Sequence, residues 1–150
     1  DALWENGFGV VFPEIEGIAA FDEVAATLDV IEKLQPATVI PGHGSVFNTV
    51  AEALAVARRR LDGFVRAPER HASYAAKVLI KYKLLDWQSI ALTELQAWVQ
   101  STHYLRLLHE RYFADEAFDA WLERLVNELI TSKAAVREVN AQGQQTLANI

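Results

Sequence analysis

Apolar positions along the chain fall into two textures. Up to about residue 47, short apolar runs are broken by glycine and proline, whereas from Asn48 onward apolar residues recur at helical spacing nearly to the end. Leu3 to Phe12 is apolar and aromatic but interrupted by Glu5, Asn6, Gly7 and Gly9. That predicts short strands joined by a turn at Asn6-Gly7, a dipeptide suited to positive φ. Phe21, Val24, Ala25, Leu28 and Ile31 then share one helical face. Asp22 and Glu23 occupy the first turn, where the helix dipole favours anions, and Pro36 stops the helix near Gln35. Ala37 to Ile40, bounded by Pro41-Gly42, predicts a short buried strand. Helix, strand, glycine loop and second helix in that order are the pattern of a layered α/β sheet.

Beyond Asn48 the spacing predicts a succession of helices. Asn48 is a suitable N-cap for a helix burying Val50, Leu54, Ala57, Leu61 and Phe64. Pro68 marks a break, and Ser73 is placed to cap a helix presenting Ala75, Val78, Leu79 and Tyr82. Thr93 with Gln96 matches a capping box, followed by Leu95, Trp98, Val99, Thr102, Leu105 and Tyr112. Asp115 is placed to cap a last helix with Phe118, Trp121, Leu122, Leu125 and Leu129 on one face. The polar, glycine-broken stretch after Glu138 is expected to fray. No repeat of fixed period is visible.

Composition narrows the classes. Half of the 150 residues are apolar, enough for a sizeable core. No run of apolar residues is long enough to span a bilayer and no secretory signal is visible, so the expectation is a cytoplasmic protein. Cysteine is absent, which excludes disulfides and thiolate chemistry. Methionine is absent too, so the chain is expected to be part of something longer. A net charge of −6 argues against general nucleic-acid binding, which needs clustered lysine and arginine. Arg58, Arg59, Arg60, Arg66, Arg70, Lys77, Lys81 and Lys83 do gather between residues 51 and 83. They read either as a solvated helix face or as an anion site.

One histidine stands out. His43 lies between Gly42 and Gly44 in VIPGHGSVF, at the carboxyl end of the predicted strand, the edge where open α/β sheets place ligands. Flanking glycines let backbone and ligand approach closely, and Pro41 stiffens the approach. The plain alternative is a histidine that hydrogen-bonds within its turn. His71, His103, His109, Trp87, Trp98 and Trp121 read as packing residues, His103 and His109 being six apart and therefore on different helix faces.

Read with the preceding helix and strand, TLDVIEKLQPATVIPGHG resembles the C-terminal part of the metallo-β-lactamase superfamily, where a proline-glycine-histidine-glycine turn follows such elements. DALWENGFG resembles the segment of that family in which an aspartate ends a strand ahead of a leucine, an aromatic residue and a glycine loop. The resemblance covers residues 1–66 and leaves 67–150 as a helical C-terminal extension. It implies the C-terminal portion of an αββα sandwich, in a chain that is itself mostly helical. It also implies a site for two divalent ions, zinc or sometimes iron or manganese, with Asp1 as the bridging carboxylate and His43 as an imidazole ligand. Trp4, Asn6 and Phe8 would then line the mouth of a small-molecule substrate pocket. A metal-bound hydroxide would hydrolyse an ester, thioester, amide or phosphoester.

The family's His-x-His-x-Asp-His motif is not in this chain. Two ligands are too few for a dinuclear site, so the chain alone is expected to bind metal weakly or not at all and to hydrolyse nothing. Strands lacking partners would expose edges and an apolar face, which predicts a homo-oligomer. The other function class is a helical interaction module, in which residues 67–140 bind a protein, acyl or nucleic-acid partner. There, LTELQAWV is a possible start of a helix-turn-helix-like element.

Overall fold

The computed structural model describes residues 2–150. They form two compact units, one running to His71 and the other from Ala72 to Ile150. The described residues are mostly helical, with one small antiparallel sheet among them. No helix among the described residues is long and apolar enough to cross a membrane.

The first unit holds α1 (Phe12–Ile15), α2 (Phe21–Leu34), α3 (Val50–Arg66) and the opening turn of α4 (Pro68–Trp87). The first N–H groups of a helix have no partner within it. Here Glu14 Oε1 accepts those of Ala20 and Phe21, at 2.5 and 2.8 Å, so α2 is capped from α1 rather than by its own N-cap residue, Ala20. α2 ends on Gln35 in the left-handed region, with Pro36 behind it. Leu28 is its fully buried residue, while Phe21, Val24, Ala25 and Ile31 are half-buried. α3 buries Val50, Ala53, Leu54, Ala57, Leu61 and Phe64, as the spacing predicts. Across the α2–α3 pair, Arg58 donates to Asp29 and Glu32, each at 2.8 Å.

The strand expected at Ala37 to Ile40 is reduced to a single antiparallel bridge. Val39 and Phe47 exchange both backbone hydrogen bonds, at 2.9 and 3.1 Å. Ile40 is 83% exposed, so the run is not buried. A strand needs a neighbour along its length, and among the described residues only Phe47 supplies one. The strands expected between Leu3 and Phe12 are likewise a single Trp4–Gly7 bridge around the turn Glu5-Asn6, one residue earlier than predicted, and then α1.

The second unit contains the rest of α4, β1 (Ser89–Ala91), α5 (Leu92–Ser101), α6 (His103–Tyr112), α7 (Phe118–Thr131), β2 (Ala135–Val139) and β3 (Gln145–Asn149). β3 is the central strand, antiparallel to β1 on one side and to β2 on the other, in register Ile90↔Leu147 and Arg137↔Leu147. Its core is built on Ile80, Leu84, Leu95, Leu108, Trp121 and Leu125, all fully buried.

This sheet replaces the expected fraying. Asn140 Oδ1 accepts the N–H groups of Gln142 and Gln144, at 3.0 and 2.9 Å, and Gly143 supplies a φ of 78°. The polar stretch is therefore a hairpin loop, of the kind asparagine and glycine build. Helix starts differ as well. α4 begins at Pro68, whose fixed φ suits a first helical position, so Ser73 lies mid-helix. The preceding residues of α3, α5 and α7 are Thr49, Ala91 and Ala117, none with a side-chain cap, so Asn48, Thr93 and Asp115 do not cap them. The helix expected through Tyr112 is broken at Thr102, whose hydroxyl donates to the Trp98 carbonyl at 2.7 Å. Tyr82, expected on the buried face, is 54% exposed.

Candidate functional site

His43 stands at the crest of an exposed loop, residues 41–46, whose base is the Val39–Phe47 bridge. Gly44 has a φ of +92°, and open space surrounds the position of a Cβ there, so glycine is needed for the backbone rather than for room. The imidazole meets the indole of Trp4, with ring centroids 5.2 Å apart and planes tilted by 53°. The two segments that carry the sequence resemblance thus meet through these rings. Asp1, the other expected metal ligand, lies outside the described residues.

Trp4 is held from both sides. Its N–H donates to the Gly7 carbonyl at 2.6 Å and its carbonyl accepts the Gly7 N–H at 3.2 Å. Its ring lies on Gly9, where a Cβ would sit 3.0 Å from Trp4 Cη2. Asn6 is exposed at the tip of the turn. Phe8 points the other way. It is 4% exposed and packs edge-on against Phe64, with centroids 6.1 Å apart, in the core rather than at a pocket mouth. Among the described residues no group of three His, Cys, Asp or Glu side chains gathers as a metal site would require. His43 is one donor, and the described residues by themselves do not fit a metal ion.

Beneath the turn lies a cluster that pattern reading did not find. The Arg60 guanidinium carbon lies over the rings of Phe8 and Phe64, 5.7 and 5.4 Å from their centroids. His71, 4% exposed, packs its ring on Phe21 and Phe64 with centroids 5.3 and 5.0 Å away. Its Nε2 accepts the Val11 N–H at 3.0 Å, which fixes the neutral tautomer with the proton on Nδ1. Burial pushes His71 down to about 4; Glu14 opposes this and Arg60 reinforces it. No local signal marks a histidine with this task.

In the second unit, basic and acidic side chains face one another. Lys77 pairs with Glu128 at 2.7 Å, and Arg124 bridges Glu116 and Glu128 at 2.8 and 3.2 Å along an open groove of about 720 Å³. The Arg124 hydrogen bond holds Glu116 below the usual carboxylate range. Burial raises Glu128, but Lys77 and Arg124 outweigh it and leave that carboxyl lowered too. Elsewhere in the basic stretch Arg58 pairs with Asp29, Arg66 with Asp62 and Lys83 with Asp86. His103 is exposed, while the His109 Nε2 donates to the Glu116 carbonyl at 2.9 Å and its ring packs on Phe118 and Trp121. Trp121 is fully buried, whereas Trp87 is 45% exposed under the Lys83 ammonium.

No family model, curated protein or solved structure matches this chain.

Proposed function

We propose that this chain is the C-terminal part of a metal-dependent hydrolase of the metallo-β-lactamase type, with His43 as one ligand of a site completed by residues outside 2–150. The observation that carries the reading is the meeting of Trp4 and His43, with ring centroids 5.2 Å apart, because it joins the two motif-bearing segments. An imidazole held on a glycine-flanked loop is a suitable zinc or iron donor, and the indole beside it offers an apolar wall to a small-molecule substrate. Ester, thioester and phosphoester hydrolysis all fit such a site, and the scaffold does not choose among them. The decisive experiment extends the chain upstream in its own reading frame and titrates zinc. A histidine-rich motif in the extension and stoichiometric zinc binding weakened by His43→Ala are expected. An extension without clustered histidines, or equal binding by the His43→Ala protein, overturns the reading.

The exposed Tyr82, Leu85 and Trp87 on α4 favour a second reading, in which the unit from Ala72 onward docks an apolar partner. Nucleic acid is the least suited partner, since the chain carries a net charge of −6 and phosphate binding needs a surplus of lysine and arginine. A gel shift at low salt that retained DNA would reverse that order.

A further inference from the structure

We infer that Arg60 is a positioning residue for the candidate site, acting through Trp4 rather than touching a substrate. The inference rests on the reading of His43 as the centre of that site. Arg60 is on α3, and its stem runs beneath the turn that presents Trp4. A Cβ on Gly7 would lie 3.0 Å from Arg60 Cδ and 3.6 Å from Nη1, so the turn sits directly on the arginine. The guanidinium carbon lies over Phe8, which follows the turn, and over Phe64, one helical turn along α3, at 5.7 and 5.4 Å from the ring centroids. A broad delocalised cation reaches both rings at once, which a compact lysine ammonium does not reproduce.

The connection runs through named contacts. Arg60 supports Gly7 and Phe8. Gly7 closes the turn by exchanging both backbone hydrogen bonds with Trp4. Trp4, seated on Gly9, then places its ring against His43. The His43 loop is closed at its base by the bridge between Val39 and Phe47. Arg60 therefore sets where the aromatic wall stands relative to the imidazole, from a helix whose buried face anchors it in the core.

The test reads the rings, not activity. The full chain is labelled with 5-fluorotryptophan, the Trp4 resonance is assigned with Trp4→Phe, and the His43 ring proton is followed alongside. Arg60→Met keeps the stem and removes the guanidinium. It is expected to shift the Trp4 resonance by more than its linewidth and to move the His43 signal, leaving Trp98 and Trp121 in place. Arg60→Lys is expected to restore the signals only in part, and it serves as the test should Arg60→Met not fold. Unchanged Trp4 and His43 signals, full restoration by lysine, or a joint shift of all the tryptophan signals would overturn the inference. The readout needs no metal, so its failure is separable from failure of the hydrolase reading, which the zinc titration decides.

Discussion

His71 Nε2 accepts the Val11 N–H at 3.0 Å across sixty residues of sequence, tying the opening turn of α4 to the segment that leads out of the Trp4 turn. A protonated imidazole has no lone pair to offer, so this bond exists only for the neutral ring. Phe21 and Phe64 pack around it, and the Glu14 carboxylate offsets only part of what burial costs its charged form.

A pH dependence follows, with a definite sign. Burial lowers His71 from 6.5 to about 4 in the fold, so between those values the unfolded chain binds the proton and the folded chain does not. The contribution is complete above about 6.5 and is lost as pH falls toward about 4, amounting to about 3 kcal/mol at most. Glu116 and Glu128, whose carboxyls are lowered, act in a different window: what they contribute is present above 4.5 and lost below it. Urea unfolding at pH 7.5, 6.5 and 5.5 should show declining stability for the native chain. His71→Phe should be less stable at pH 7.5, from the orphaned Val11 N–H, yet flat across the same range. Equal slopes for the two proteins would refute the assignment.

Gly7 and Gly44 allow a paired comparison. Both have positive φ, +113° and +92°, so alanine is strained at either, by about 1–3 kcal/mol. Around Gly44 there is open space, whereas at Gly7 the new methyl meets the Arg60 stem at 3.0 Å. Gly7→Ala should therefore lower the chemical-denaturation midpoint more than Gly44→Ala does. Equal midpoints would mean that Arg60 yields freely.

Helix faces were legible because burial along α3 and α7 is a local, periodic property: Leu54, Ala57 and Leu61, or Trp121, Leu122 and Leu125, announce themselves by spacing. Helix starts were less so. Asn48, Thr93 and Asp115 are good capping residues by chemistry, but α2 takes its cap from Glu14, six residues before Ala20. The sheet escaped because β1 is only Ser89–Ala91 and pairs with residues near the C-terminus, so neither partner carries a period of its own. The His43 loop was marked by its glycines. Its contact with Trp4, and the places of Arg60 and His71, depend on long-range packing that no window of sequence contains.

Lys81 is the anchor of that sheet. Its ammonium donates to the Ala134 carbonyl, to Asn149 Oδ1 and to the Ile150 carbonyl, joining α4 to the start of β2 and the end of β3. Lys81→Met keeps the stem and deletes three donor contacts, which should cost about 1–3 kcal/mol. The loss should be local first. Amide exchange should quicken in β2 and β3 and stay slow in α3. Unchanged exchange at Val136 and Leu147 would show that the hairpin holds without the lysine.

Glu14 offers the last test, because one carboxylate acts on two features. It accepts the N–H groups of Ala20 and Phe21 and so stabilises the start of α2; it also favours the charged form of His71. Glu14→Ala removes the acceptor and should cost about 1 kcal/mol, as lost N-caps do. Glu14→Gln keeps a carbonyl oxygen in reach of both N–H groups and should recover much of that loss at neutral pH. The two variants should agree, however, in their effect on His71. Without the carboxylate the imidazole loses its favourable charge, so its protonation should move to still lower pH in both. Urea midpoints separate the capping role, and an NMR titration of the His71 ring reads the electrostatic one. A glutamine variant as unstable as the alanine one would show that the charge, and not the hydrogen bonds, holds the start of α2.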